Sequence, residues 1–201
     1  MMKKPETDTT PLQTESSALP KKQWLADLLE IGKQLVFAVL LFFLVDSIID
    51  RVRVLNISMF PTFKEGEMLF VNKLAYRLGE VERGDIVTFH YPLDPTLSFI
   101  KRAIGLPGDV VEVSDGQVRV NGIGLSEPYI VTPPDYTGTW TVPPGSLFVL
   151  GDNRADSADS HVWGFVPYSH LVGKVLMVYW PIDHIRVVTH ANLMPSPSPT
   201  F

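Results

Sequence analysis

The strongest feature of the hydrophobic pattern is an uninterrupted apolar run near the start of the chain. Eleven consecutive apolar residues occupy 35–45, and apolar residues at helical spacing precede them from Trp24. Since a bilayer core requires about 20 helical residues, the flanking turns must complete a span. The pattern predicts a single membrane anchor helix over residues 24–50, after a polar segment at residues 1–23 that we expect to be a disordered cytoplasmic tail.

Two other structures produce an apolar run of this length. A core helix of a soluble domain needs apolar partners on every side, but the chain that follows is rich in turn residues. A cleaved signal peptide should end at small residues, where this chain has Asp46 and Asp50. The anchor is therefore the favoured interpretation.

The charge distribution gives a weaker prediction of membrane topology. Lysines before the run favour a cytoplasmic N-terminus, but Arg51, Arg53 and Lys64 follow closely on the other side. A large C-terminal domain can cross a membrane regardless of such charges. We expect a single-pass protein with its C-terminal domain on the outer, periplasmic or lumenal side of a plasma or thylakoid membrane.

Beyond the anchor the pattern changes to short β-rich segments separated by turns. Asp115-Gly116 between two of them is a hairpin signal. The pattern predicts a mainly β fold, with an antiparallel, partly closed domain over residues 51–190 and a long loop or flap at 121–142. Residues 191–201 are expected to form a loose Pro/Ser tail. The predicted strands cover residues 51–55, 68–71, 86–90, 99–104, 110–113, 118–120, 147–150, 174–180 and 185–188.

The amino-acid composition argues against several classes of function. The net charge is −5 without a basic block, which argues against nucleic-acid binding. The chain has no cysteine, and its five histidines lack paired metal-ligand spacing. We therefore expect no disulfide, no thiolate chemistry, no metal and no cofactor.

Ser58 and Lys101 are the candidate catalytic pair. Ser58 precedes a Pro-Thr turn, and Lys101 lies among apolar residues at the end of a predicted strand. A neutral lysine can act as general base for a serine nucleophile, but burial must first lower its ordinary pKa of about 10.4. A turn serine and a solvent-exposed lysine are the simpler alternative.

A second polar cluster follows the apolar strand 147–150. Within residues 151–161, Ser157 and Asp159 are candidates for orienting a lysine. The same loop could bind calcium, although the usual alternation of ligands and the closing Glu are absent. Asp159 with His161 could also supply two members of a Ser-His-Asp triad, but that interpretation leaves Lys101 without a role.

Four segments together resemble the four catalytic-domain boxes of type I signal peptidases, in the family's order and after an apolar anchor. They are Ser58-Met59-Phe60-Pro61-Thr62, Arg83-Gly84-Asp85-Ile86-Val87, Lys101-Arg102-Ala103-Ile104-Gly105-Leu106-Pro107-Gly108-Asp109 and Gly151-Asp152-Asn153 with Ser157-Ala158-Asp159-Ser160 and Trp163-Gly164. The resemblance implies a membrane-bound serine endopeptidase that removes signal peptides from exported preproteins after small residues. It also implies an all-β catalytic core with a small insertion, here at about residues 105–146.

The resemblance also implies residue roles. Ser58 would be the nucleophile, Lys101 the general base, and Ser157 the hydroxyl that orients the lysine, with Asp159 in support. The backbone N–H of Ser58 and the side chain of Asn56 would form the oxyanion hole.

Two positions depart from the commonest family pattern. Asn56 stands where some members have a serine, although its amide can still donate a hydrogen bond. His161 stands where many members have arginine, and in this the chain resembles cyanobacterial and plastid members. A salt bridge between His161 and Asp159 would require protonation of the imidazole.

Matching positions suggest a lining for small substrate pockets. A signal peptide could add as a strand to the edge that carries Phe99 and Ile100, and the implied partners are preprotein signal peptides, the lipid bilayer and a nearby secretion translocon. Two alternatives to this function remain: a self-cleaving Ser-Lys protease of the repressor type, and an anchored β-domain that binds exported peptides without cleavage. The predicted lining residues are Val52, Val54, Met59, Phe63, Phe99 and Ile100.

Overall fold

The computed structural model describes residues 21–193. Residues 1–20 of the predicted disordered tail and the Pro/Ser tail from residue 194 lie outside the described residues. The prediction is wrong for residues 21–23, which already belong to the first helix. The chain forms two compact units, divided between Phe43 and Leu44.

The first unit contains most of a long apolar helix. Helix α1 covers Lys21–Ile48, and an 18-residue window within its segment Trp24–Ile48 has a mean hydropathy of 2.2 and no residue buried in the protein. By length and composition it can cross a membrane. The helix ends two residues before the predicted boundary, because Ile49 and Asp50 already pair with the strand around Asn72.

The second unit is mainly antiparallel β structure, which confirms the predicted fold class. Every predicted strand overlaps an observed one. Two short helices accompany the strands, α2 (Ala75–Leu78) and α3 (Ser160–Trp163). The strands are β1 (Ile49–Arg53), β2 (Met68–Asn72), β3 (Ile86–Tyr91), β4 (Asp94–Gly105), β5 (Val110–Ser114), β6 (Gln117–Val120), β7 (Ile123–Gly124), β8 (Gly138–Thr141), β9 (Ser146–Leu150), β10 (Val166–Pro167), β11 (Leu171–Trp180) and β12 (Arg186–Val187).

The larger sheet has the strand order β1-β2-β11-β3-β4-β9-β10, with β12 on β11. Strand β4 pairs with β3 along most of its length, with Lys101 opposite Val87. On its other side it pairs with β9 only from Arg102 to Gly105. Among the described strands, none pairs with this second edge before Arg102, so an open edge leads up to Lys101.

The smaller sheet has the order β7-β6-β5-β8 and lies within the insertion predicted at residues 105–146. The predicted hairpin is present, with Ser114 opposite Gln117. The stretch 121–142 is not one long loop, because β8 pairs with β5 and places Trp140 opposite Val111. Strands this short carry too few residues for periodicity to reveal them.

Three groups of buried side chains form the core. One joins the smaller sheet to β4 and β9 through Ile104 and Phe148. Leu193 is 1% exposed and belongs to this group, and its carbonyl accepts a hydrogen bond from the backbone of Ser126. The chain is therefore packed through residue 193, two residues beyond the predicted start of the loose tail.

Candidate active site

Ser58 and Lys101 line one cleft of about 630 Å³. The two side chains lie on different segments, the turn after β1 and the strand β4. All six predicted pocket residues line this same cleft: Val52, Val54, Met59, Phe63, Phe99 and Ile100. The cleft runs beside the open edge of β4.

Lys101 is almost completely buried, with 3% of its surface exposed. Burial lowers the pKa of Lys101 from 10.5 to about 8, while the negative charges of Asp159 and then Asp152 oppose part of this decrease. Its amine makes no hydrogen bond or ion pair within the described residues. A substantial fraction of a lysine with this pKa is neutral near pH 8, as a general base requires.

The hydroxyl of Ser58 contacts Asn56 rather than Lys101. Ser58 Oγ donates a hydrogen bond of 2.8 Å to Asn56 Oδ1, and the Ser58 backbone N–H donates one of 3.2 Å to the same oxygen. This is an Asx turn. The two donors converge on an acceptor oxygen, so the predicted oxyanion donor of Ser58 is occupied by Asn56 in this conformation.

The predicted polar loop 151–161 packs directly behind the serine. The Asn153 backbone N–H donates to the Ser58 carbonyl at 3.0 Å, and its side-chain amide donates to the Ile57 carbonyl at 3.2 Å. A Cβ on Gly151 would lie 2.5 Å from the Ser58 carbonyl oxygen and 2.2 Å from Ser157 Oγ. The absence of a side chain at Gly151 therefore allows the three segments to meet.

Ser157 Oγ is buried and makes no hydrogen bond in the part of the chain that the structure describes. Its neighbours Asp156 and Ala158 line the same cleft as Ser58 and Lys101. A buried hydroxyl without a partner costs free energy, which sets Ser157 apart from an ordinary loop serine.

Asp159 is 1% exposed and accepts several hydrogen bonds. Its Oδ2 accepts from the Gly151 N–H at 2.9 Å, and its Oδ1 accepts from the His161 N–H at 3.3 Å and lies 2.7 Å from His161 Nδ1. An ionised carboxylate can only accept, so Nδ1 carries a proton. The predicted contact is thus present, and a neutral imidazole with its proton on Nδ1 can also donate this hydrogen bond.

Sequence reasoning missed the ion pair that joins the segments of the site. Arg102 donates to both carboxylate oxygens of Asp152 at 2.8 and 2.6 Å, with side chains 3% and 0% exposed. Thr62, shortly after Ser58, also donates to Asp152 at 2.5 Å. Arg102 lies in the segment 101–109 that resembles a signal peptidase box, and Asp152 lies in the Gly-Asp-Asn segment. Nothing in either segment indicates that the two residues pair.

Sequence reasoning also missed part of the cleft wall. These residues are polar or exposed and follow no apolar periodicity, so hydrophobic patterning does not find them. They are Arg53, Leu55, Ile57, Thr96, Leu97, Ser98, Asp156 and Ala158.

Comparison with known proteins matches residues 28–180 to the family model described as "Signal peptidase, peptidase S26". The chain belongs to this family. It is 43% identical over 178 residues to the "Probable signal peptidase I-2" of Synechocystis sp., covering 85% of this chain and 79% of that protein. It is 38% identical over 201 residues to the "Signal peptidase I" of Leptolyngbya laminosa, covering 96% of each.

A solved signal peptidase I from Enterococcus faecalis V583 is 35% identical, with a TM-score of 0.45 over 47% of this chain and 96% of that chain. The family and the two relatives confirm the predicted enzyme class, a type I signal peptidase of the serine peptidase group. Nothing in these matches supports binding without cleavage.

Asp152→Ala should strongly destabilise the second unit, because Arg102 would remain charged, buried and unpaired. The expected loss is about 3–5 kcal/mol in the free energy of unfolding. Glu112→Ala is the matched control, since its ion pair with Arg119 is long and exposed and should contribute about 0–1 kcal/mol. Thermal unfolding in detergent measures both. Equal stability of the two variants would contradict a structural role for the buried pair.

Proposed function

We propose that this enzyme is a membrane-anchored endopeptidase that cleaves signal peptides from preproteins after small residues, using Ser58 as nucleophile and Lys101 as general base. One observation supports the pair most directly. In a chain of the signal peptidase family, a lysine with a lowered pKa lines the same cleft as a serine.

The chemistry follows the ordinary course of acyl transfer. Neutral Lys101 accepts the proton of Ser58 Oγ as that oxygen bonds to the scissile carbonyl carbon. The intermediate then collapses, the C–N bond breaks, and the lysine ammonium gives its proton to the departing amine. Lys101 next activates a water molecule that hydrolyses the ester. The Ser58 hydroxyl must first rotate from Asn56 towards Lys101.

Ser157 and Asp159 would help to position Lys101 and the loop next to it. The unpartnered Ser157 hydroxyl beside Gly151 is suited to orienting the amine of Lys101, which also lacks a partner. Asp159 braces Gly151 and adds a negative charge that favours the ammonium form.

The oxyanion hole would be formed by the Ser58 backbone N–H and the Nδ2 amide of Asn56. Both groups can point at a developing negative charge once Asn56 has turned its oxygen away from Ser58. Asn56 would thus exchange an acceptor role for a donor role during catalysis.

The substrate would lie in the cleft as an extended strand along the open edge of β4. Phe99 and Ile100 stand on this edge, directly before Lys101. Met59 and Phe63 are 2% and 0% exposed, so they form a fixed floor that leaves little room for large side chains. Val52 and Val54 complete the apolar wall on the side of β1.

Helix α1 would anchor the enzyme in the bilayer, with the N-terminus in the cytoplasm and the second unit on the outer or lumenal side. Such an enzyme would receive its substrates near the secretion translocon. Both plasma and thylakoid membranes suit this arrangement.

The first test replaces each member of the pair. In detergent with a preprotein that carries an Ala-x-Ala site, Ser58→Ala, Lys101→Met and Lys101→Arg should each lower kcat by at least about 10³-fold. Arginine keeps the positive charge but cannot be deprotonated. The exposed controls Ser169→Ala and Lys64→Met should retain parental kcat. Cleavage at the parental rate by Ser58→Ala would refute the proposal.

The second test is the pH dependence of kcat/KM. A base must be neutral to act, so kcat/KM should rise about tenfold per pH unit below pH 8 and level off above it. The Asp159 carboxylate raises the pKa of Lys101, so Asp159→Asn should move this rise to lower pH. Asp115→Asn, in the β5–β6 turn, should leave it in place. A profile without this rise would rule out Lys101 as the titrating base.

The third test separates the two roles of Asn56. Asn56→Asp keeps the oxygen that accepts from Ser58 but removes the amide donor, whereas Asn56→Ala removes both. If Asn56 stabilises the oxyanion, both variants should lower kcat by about 10²–10³-fold with little change in KM. Parental kcat in Asn56→Asp would show that the acceptor oxygen of the turn is all that catalysis requires.

A further inference from the structure

The imidazole of His161 stacks on an aromatic ring from the insertion. The rings of Tyr136 and His161 are nearly parallel, with centroids 3.9 Å apart and an angle of 6° between their planes. Tyr136 belongs to the connection that leads into β8 of the smaller sheet, whereas His161 belongs to α3 after the polar loop. The stack therefore joins the insertion to the loop that carries Ser157 and Asp159.

The insertion holds Tyr136 firmly. The ring of Trp140 meets Tyr136 edge to face at 6.5 Å and packs on Phe148 at 5.0 Å. Gly138 lies beneath the indole, and a Cβ there would fall 2.3 Å from it. The absence of a side chain at Gly138 thus allows Trp140 to pack close to the backbone and against the ring of Tyr136.

The ring of Tyr136, and not its hydroxyl, makes the contact. The hydroxyl is buried and has no hydrogen-bond partner within residues 21–193. Burial, and then the nearby Asp159 carboxylate, raise the pKa of Tyr136, so the phenol stays neutral. A phenylalanine ring would offer the same face to His161 without an unsatisfied hydroxyl.

The other side of His161 leads to the catalytic residues. Nδ1 donates to Asp159 at 2.7 Å, and the second carboxylate oxygen accepts from the Gly151 N–H at 2.9 Å. Gly151 in turn contacts the Ser58 carbonyl and the Ser157 side chain closely enough to exclude any Cβ. Four successive contacts thus connect Tyr136 to the turn of the nucleophile.

We propose that Tyr136 is a positioning residue for peptide cleavage: its ring holds the His161 imidazole, His161 holds Asp159, and Asp159 fixes Gly151 between Ser58 and Ser157. The proposal rests on the proposed catalytic roles of Ser58 and Lys101. It assigns part of the precision of the site to the insertion.

Simple packing within the insertion is the competing explanation, and the two differ in what they require of His161. If Tyr136 acts through His161, its truncation should matter only while His161 is present. If it only fills the core of the insertion, its truncation should cost the same in either background. A double-mutant cycle separates these cases.

The experiment measures kcat and KM for preprotein cleavage by the full chain in detergent, with melting temperature as a separate readout. Tyr136→Phe should retain parental kcat. Tyr136→Leu should lower kcat by roughly threefold to tenfold, as expected for loss of an aromatic stack, with KM little changed. In a His161→Leu background, Tyr136→Leu should cause no further loss of kcat.

His161→Phe provides a second arm that does not depend on truncating Tyr136. It keeps a ring stacked on Tyr136 but cannot donate to Asp159, so kcat should fall as in His161→Leu although the aromatic stack remains. Parental kcat in His161→Phe would overturn the proposal. An equal loss on Tyr136→Leu in both backgrounds, or a loss in Tyr136→Phe as large as in Tyr136→Leu, would also overturn it.

Failure of this inference is distinguishable from failure of the proposed function. Any cleavage that remains in Ser58→Ala is subtracted before the double-mutant cycle is calculated, so the cycle reports only activity that depends on Ser58. Additive effects on that activity would refute the role of Tyr136 alone, whereas cleavage that survives Ser58→Ala would refute the catalytic assignment.

Discussion

Burial of the Lys101 amine without a counter-ion is the constraint on which the site depends. The decrease of its pKa from 10.5 to about 8 means that the site destabilises the ammonium form relative to the neutral amine by about 3 kcal/mol, compared with a lysine in water. The carboxylates of Asp159 and then Asp152 oppose this effect, and both are bound to other groups. Arg102, the next residue on β4, binds Asp152 through two hydrogen bonds, and the Gly151 N–H and the His161 ring bind Asp159. Alternation along the strand separates the buried ion pair from the Lys101 amine.

Residues of the insertion also contact the charged side chains that surround the site. Arg154, directly after the Gly-Asp-Asn motif, binds Glu127 of the insertion at 2.9 and 2.5 Å. The ring of Tyr129 lies 3.9 Å from the guanidinium of Arg102. The insertion therefore supplies the carboxylate that pairs with Arg154 of the loop behind Ser58, and the aromatic ring that packs on Arg102 of β4.

Sequence reasoning succeeded where a feature is local. The apolar run predicts α1, alternation and turn residues predict the strands, and ordered motifs indicate the family. It failed where partners are distant: Arg102 and Asp152 are 50 residues apart, and Tyr136 and His161 come from separate elements. Leu193 is similar, because a single apolar residue before a Pro/Ser tail gives no sign that it is buried.

In the proposed mechanism, the side chain of Asn56 serves two states of the site. At rest its oxygen accepts from both donors of Ser58, which satisfies a hydroxyl and an N–H inside the cleft. Releasing these contacts costs about 1 kcal/mol for each neutral hydrogen bond, whereas an amide donor to an oxyanion contributes about 2.7–4 kcal/mol. In that mechanism, the exchange becomes favourable only when negative charge has developed on the substrate. An interaction that is realised only at that stage lowers the barrier without tightening substrate binding, which makes asparagine chemically suited to this position.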